Sequence, residues 1–145
     1  MKALVQRVSS ASVSVGDDTL ASIGEGLVVL VGVAANDRTE QADKLAAKIA
    51  RLRVFDGDDG RMDRSLLDTG GGALCVSQFT LYADTRKGLR PSFTAAAEPE
   101  LAEPVYEEFC DRLAAHGVEV QRGRFGARMS VALVNEGPVT LLLET

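Results

Sequence analysis

The run Ser77-Gln78-Phe79-Thr80 closes the most apolar strand that the sequence predicts, Ala73 to Phe79. It sets two hydroxyls, a carboxamide and an aromatic ring where backbone N–H groups run out of ladder partners and can be offered to a ligand. Binding sites gather at such strand ends and in the loops beyond them. A hydroxyl becomes a nucleophile when a base, usually a histidine oriented by a third group, takes its proton. The chain's single histidine, His116, falls in the last turn of a predicted helix, where its expected role is to interact with the C-terminal dipole. A Ser-His-Asp hydrolase is therefore disfavoured. Two readings stay open for residues 77–80. Main-chain donors could hold a substrate and stabilise developing negative charge, worth about 3 kcal/mol per donor. Alternatively, this is a strand end whose Ser and Thr satisfy local backbone.

Directly after it, Asp84 to Arg90 carries Arg86, Lys87 and Arg90 against one acid, Asp84, with Gly88 at the bend and Ser92 and Phe93 beyond. Such a loop could clamp phosphates while the hydroxyl and the aromatic ring meet sugar or base; judged alone, it also reads as a solvated basic turn. Arg122, Arg124 and Arg128 make a second basic group around Phe125 and Gly126. In a chain of net charge −5, two such groups suggest focused anion recognition, whereas overall electrostatics argue against a protein that coats nucleic acid. The third special segment is Asn135-Glu136-Gly137-Pro138-Val139-Thr140. Its Gly-Pro bond is a candidate for a cis peptide in a rigid turn, and Gly137 would let a backbone carbonyl approach a ligand closely. The plain alternative is an ordinary hairpin turn.

The elements that must position these groups follow from hydrophobic period. Strands are predicted at 3–8, 11–15, 19–23 and 27–33, with short Ser, Gly and Asp punctuation that makes neighbours antiparallel. Asp37 and Glu40 have capping-box spacing, and Ala42, Leu45, Ala46, Ile49 and Leu52 line one face of a first helix. Residues 55–72 are too rich in Gly and Asp for regular structure and read as a long loop with a brief apolar contact at Leu66 and Leu67. Asp56, Asp58 and Asp59 lack the later bidentate Glu of a calcium loop, which favours a solvated turn. The strand at 73–79 is apolar on both faces, as in the centre of a covered sheet. Pro99 opens a second helix with Leu101, Ala102, Val105, Tyr106, Phe109 and Leu113 as its buried stripe and Gly117 as its stop. Two last strands are expected at 129–134 and 139–143.

A length of 145 residues with 46% apolar content fits one compact α/β domain with a real core. Lys2, Gln6 and Arg7 interrupt the first ten residues, so no uninterrupted apolar run of a signal peptide or membrane span is read there, and the expected location is the cytoplasm. Cys75 and Cys110 are expected as small core hydrophobes. With no CxxC and no histidine cluster, no transition-metal site is expected.

VSQFTLYADTRKGLRPSF and LVNEGPVTLLLE together resemble the D-aminoacyl-tRNA deacylases of the widespread bacterial and eukaryotic type. The resemblance runs almost end to end, through VQRVSSASVSV, GLVVLVGV, KIARLRVF and SLLD. Glu136 stands where the family commonly has Asp, and Asn often precedes the apolar pair of RMDRSLLD; neither departure falls on a position carried over below. The resemblance implies a curved, barrel-like, mostly antiparallel mixed sheet packed by two main helices, one deacylase domain over residues 1–145, and a homodimer with active sites at the subunit interface. It implies hydrolysis of the ester between a D-amino acid and the 3′ end of tRNA, without a metal or organic cofactor and away from any membrane. Ser77, Gln78, Phe79 and Thr80 match the motif that holds the aminoacyl ester and its terminal adenosine. Gly137 and Pro138 match a cis Gly-Pro contributed by the partner subunit, and Arg7 an arginine that orients that turn. Arg86 and Lys87 are expected at the tRNA phosphates. A carbonyl of Gly137 held against the α-carbon would leave no room for an L side chain, while glycine would pass in part. For the chemical step, the missing triad histidine favours assistance by the 2′-hydroxyl of the terminal ribose, with a covalent role for Thr80 as the rival. A binding module for the aminoacylated 3′ end, without catalysis, is the alternative function.

Overall fold

The first strand, β1 (Lys2–Val15), runs unbroken through Ser9 and Ser10, so the two strands expected there are one. The computed structural model describes all residues, 1–145, and shows why the serines do not end the strand. Residues 2–8 of β1 pair with β3 (Gly26–Gly32), and residues 11–15 pair with β2 (Asp18–Ile23). The opposite edge carries β8 (Ser130–Glu144) along almost its whole length. On one side the pairing passes from β3 to β2 at the serine pair, and on the other β8 runs past it. The change of direction is absorbed by register shifts on either side of Val8, the signature of bulges rather than of a break. Strands β2 and β3 are both antiparallel to β1, as short turns require, and both are its partners.

Helix α1 (Thr39–Arg51) buries Ala42, Leu45, Ala46 and Ile49 as the period predicts, but its cap differs from expectation. The N-cap is Arg38, whose N–H donates to the Gln41 side chain at 2.9 Å. Asp37 lies one residue further out and is buried, taking the Met1 ammonium at 2.8 Å and the Ala34 N–H at 2.7 Å. A charged partner outcompetes a helix N-terminus for a buried carboxylate. The span expected as a loop holds a small hairpin, β4 (Phe55–Asp56) with β5 (Met62–Arg64), and a single-turn helix α2 (Leu66–Thr69). Ser65 caps α2: its hydroxyl accepts from the Asp68 N–H at 3.3 Å, and its own N–H donates to the Asp68 carboxylate at 2.8 Å. Leu66 is buried there while Leu67 is 40% exposed, so half of the expected apolar contact forms.

Strand β6 (Gly72–Ser77) lies between β3 and β7 (Glu119–Arg122), parallel to both, which is the central, covered position its composition predicts. Helix α3 (Pro99–Ala115) starts on Pro99 and ends at His116 and Gly117, the latter at φ 98°. Alternate side chains of the sheet feed two cores. Val29 and Cys75 face α1 and α3 in the larger core, which also holds Phe109, Tyr106 and Ile49. Val28, Leu74 and Val76 point the other way, into a smaller core with Val8 and Val13, because β2 curls over to meet β6 and β7. The sheet is thus nearly closed. Each fully buried Leu, Val or Phe contributes about 2 kcal/mol relative to exposure. Strand β8 is the exception: Val134 and Leu142 are more than half exposed to solvent. The last two strands expected are one strand, continuous through Gly137-Pro138. No helix is long and apolar enough to cross a membrane.

Candidate functional site

Three parallel strands, β3, β6 and β7, deliver their carboxyl ends to one cavity of about 530 Å³. Val33 arrives just after β3, Ser77 to Phe79 from β6, and Phe125 to Ala127 after β7; Ala97 and Pro99 close it at the start of α3. The size suits a small-molecule group, and carboxyl ends of parallel strands are where α/β sheets place ligands. The lining is mostly apolar, with Ser77 and Gln78 as polar groups and Glu98 as its one carboxylate residue. Phe79 and Phe93 meet edge to face at 5.0 Å between centroids. Phe79 stays 54% exposed, so its ring is available to a further planar group.

The strand end becomes a turn for a local reason. The Gln78 N–H donates to the Val31 carbonyl at 2.7 Å and is the last ladder bond of β6. Phe79–Tyr82 then forms a 3-10 turn whose first bond runs from the Leu81 N–H to the Gln78 carbonyl at 3.2 Å. The N–H groups of Phe79 and Thr80 precede that bond and have no acceptor within the turn. They leave the cavity edge with unspent, oriented donors. The Gln78 carboxamide donates to the Thr80 hydroxyl, so Thr80 Oγ1 accepts from a neutral amide and has no base beside it. His116 is the C-cap of α3, as expected, and is not among the cavity residues. Tyr82, packed under the Lys2 ammonium at 4.9 Å, has its phenol pushed up to about 12 by burial and by the charges of Asp37 and Glu144.

The loop beyond is closed at its neck by paired main-chain bonds between Asp84 and Ser92, at 2.7 and 2.9 Å, and turns at Gly88 with φ 73°. Arg86 folds back on Asp84 through two bonds of 2.9 and 2.7 Å. These bonds hold the Asp84 carboxyl below the usual carboxylate range. Lys87 and Arg90 have no carboxylate partner. The second basic group is smaller than its composition suggests. Arg122 is half-buried between Glu107 and Asp111, which removes it from anion binding, whereas Arg124 and Arg128 are exposed and without ion pairs.

Gly137, Pro138 and Arg7 lie together but not at this cavity. The Gly137-Pro138 bond is cis, and the segment interrupts the β1–β8 register instead of turning a hairpin. Arg7, 9% exposed, donates to the Glu136 carbonyl at 3.2 Å, the Val54 carbonyl at 2.8 Å and Asp56 at 3.0 Å. Asn135 accepts the Val139 N–H at 3.2 Å and donates to the Thr140 hydroxyl at 2.9 Å. Sequence reasoning missed Asn135 and Asp56. An asparagine four residues before an N–H freed by a proline was the available signal for Asn135; nothing local ties Asp56 to Arg7, which is 49 residues away. The apolar wall from Phe125 and Met129 was also missed as part of the site.

Fold and site define the class as a mixed-sheet α/β domain with a mostly apolar cavity at the ends of its parallel strands. Within that class, the chain belongs to the D-Tyr-tRNA(Tyr) deacylase family, whose model matches residues 4–144. It is 57% identical over 145 residues to a D-aminoacyl-tRNA deacylase of Roseiflexus sp. (strain RS-1), covering 100% of this chain and 94% of that one. Identity is again 57%, over 144 residues and 99% of both chains, to a D-aminoacyl-tRNA deacylase of Ruegeria pomeroyi (strain ATCC 700808 / DSM 15171 / DSS-3). The solved structure of a c-Myc DNA Unwinding Element Binding Protein superposes with TM-score 0.93 at 40% identity, over 100% of this chain and 99% of that chain. A probable eukaryotic D-amino acid tRNA deacylase, 16% identical, shares the fold with TM-score 0.86 over 98% and 97% of the two chains.

Proposed function

We propose that residues 1–145 act as one deacylase domain that hydrolyses the ester between a D-amino acid and the 3′ end of tRNA, returning free D-amino acid and tRNA to the cytoplasm. The observation that carries this is the pair of N–H groups left open at Phe79 and Thr80, at the end of a strand that lines a ligand-sized cavity, in a member of this family. Water adds to the ester carbonyl and its proton leaves with the ribose oxygen; the two amides hold the carbonyl oxygen as it becomes negative, each worth about 3 kcal/mol. Ser77 and Gln78 orient the aminoacyl group, and the Phe79 ring takes the terminal adenine. The 2′-hydroxyl of the ribose assists the attack. This is favoured over nucleophilic Thr80, whose hydroxyl has an amide and no base as its neighbour. Lys87, with Arg86 held beside it by Asp84, meets the phosphates of the RNA.

Chirality is selected by exclusion. In a homodimer, Gly137 and Pro138 of each subunit reach the other's cavity, with the turn held by Arg7, and the Gly137 carbonyl leaves no space for an L side chain. The exposed Val134 and Leu142 of β8 support the dimer, and the position of the turn outside its own cavity supports exchange between subunits. Glycine, lacking a side chain, passes the filter in part; Gly-tRNA left intact at protein levels that clear D-Tyr-tRNA would remove this account of selection.

A matched assay on D-Tyr-tRNA and L-Tyr-tRNA tests the reading. The D ester should be lost fast and the L ester spared. Tight binding of both with neither hydrolysed would leave a noncatalytic module for the aminoacylated 3′ end. Replacing the terminal adenosine by 2′-deoxyadenosine should abolish turnover if the ribose hydroxyl assists, and spare it if Thr80 attacks.

A further inference from the structure

We propose that Arg124 and Arg128 form a second phosphate-binding rim at the cavity, so that single-stranded RNA leading to the ester is gripped by two separate segments, 86–90 and 124–128. This rests on the aminoacyl-tRNA reading above and extends it to residues that reading leaves unused. Of the 16 Lys and Arg side chains, eight are held in ion pairs, among them Arg122 by Glu107 and Asp111, Arg112 by Asp43 and Glu108, and Arg86 by Asp84. Of the eight outside ion pairs, four, Lys87, Arg90, Arg124 and Arg128, fall in the two segments that adjoin the cavity-lining residues Phe93 and Phe125 to Ala127. Arg124 and Arg128 are both exposed, and they flank Phe125, Gly126 and Ala127, which line the cavity. Phe125 packs on the core and against Tyr106 at 6.2 Å, so the segment that carries both arginines is anchored. Lys87 and Arg90 occupy the equivalent place beside Phe93 on the other loop.

The arrangement separates charge from chemistry. Inside the cavity the lining is apolar with one acidic residue, Glu98, which suits an aminoacyl group and a base better than a phosphate. Outside it, four cations without carboxylate partners stand on two segments, one ending at the lining residue Phe93 and the other holding the lining residues Phe125 to Ala127. A chain that enters with its 3′-terminal ester inside must leave its phosphodiesters at that mouth. Guanidinium groups there bind phosphate by paired N–H donors, and each neutralised phosphate releases a counterion.

The test is the salt dependence of kcat/KM on D-Tyr-tRNA, compared with D-tyrosyl adenosine, which has the ester and no phosphodiester. For wild type, log kcat/KM on the tRNA should fall with log salt. In the double variant Arg124→Gln/Arg128→Gln that slope should be shallower by about 1.4, from about 0.7 per phosphate contact on a single strand. Low-salt KM should rise for the tRNA and much less for the adenosine ester. Arg124→Lys/Arg128→Lys should restore most of the slope, because point charge suffices for counterion release. An unchanged slope, equal losses on both substrates, or lysine variants indistinguishable from glutamine would each overturn the inference. If wild type cleaves neither ester, the proposed reaction fails, and the rim is then judged separately. The same slope difference is expected in the anisotropy of a labelled single-stranded RNA ending in CCA, and its absence there sinks the rim.

Discussion

Two segments of this chain depart from regular strand geometry, and they do so in opposite ways. At Ser77 to Thr80 the ladder stops, the backbone tightens into a 3-10 turn, and donors are left unspent at the edge of a cavity. At Asn135 to Thr140 the strand continues past the interruption, and side chains of Asn135 and Arg7 satisfy the backbone groups that the irregularity exposes. The first is built to receive something. The second is a finished shape, fixed from behind by Val54 and Asp56 through Arg7, and suited to being presented to another molecule. An open donor marks where a ligand goes, whereas an irregular turn braced by side chains marks what the fold spends side chains to hold still.

The contrast is broken most severely at Gly137. Its φ of 123° is unsuited to an L residue, and an added Cβ would come within 2.9 Å of Val139 Cγ2 and 3.1 Å of Arg7 Nη2. Gly137→Ala should therefore move the turn and cut D-ester hydrolysis about 100-fold, the scale of an ångström misplacement, as read by single-turnover deacylation. Arg7→Met should come next. It leaves two carbonyls and Asp56 without their shared donor, and should lower unfolding free energy in urea by about 3 kcal/mol. Asn135→Ala strands the buried Val139 N–H and should cost about 2 kcal/mol in the same measurement. The receiving turn should prove tolerant of side-chain loss. Thr80→Ala keeps the main-chain donor and should lose no more than about tenfold in turnover, the equivalent of one ordinary hydrogen bond. Loss of all turnover in that variant would make the hydroxyl the nucleophile. The smallest effect is a titration. Asp84, held low by the Arg86 side chain and then by the Arg86 N–H, should by NMR remain ionised to lower pH than an ordinary aspartate. The clip is present above the ordinary carboxylate pKa and lost as pH falls through the lowered one; Arg86→Ala should raise the midpoint only part of the way back, because the main-chain N–H at position 86 still donates to Asp84.

Much of the fold was legible because it is written in local periods. The buried stripes of α1 and α3, the Pro99 start, the covered β6 and the core positions of Cys75 and Cys110 all follow from spacing within one element. Errors fell where a distant partner decides. Ser9-Ser10 looked like a break until β8 ran past it, and Asp37 looked like a cap until the Met1 ammonium claimed it. Residues 55–72 hid a hairpin and a helical turn because glycine and aspartate mark both loops and tight structure. At the cavity, Ser77 to Phe79 were readable as a strand end, while the apolar wall at Phe125 and Met129 was not, since nothing near them in the chain announces a cavity.

By itself the sequence determined the kinds of chemistry on offer: hydroxyls and amides at a strand end, cations in two groups, one Gly-Pro turn, and no histidine where a base would be needed. Tertiary structure decided which of these meet. It brought three strand ends to one cavity, withdrew Arg122 and Arg86 into ion pairs while leaving Arg124, Arg128 and Lys87 free, and set Gly137 against Arg7 rather than against Ser77. The reason is one of range. Local propensity acts over a few residues of chain, whereas burial, pairing of charge and closure of a sheet act between residues that only the folded backbone makes neighbours.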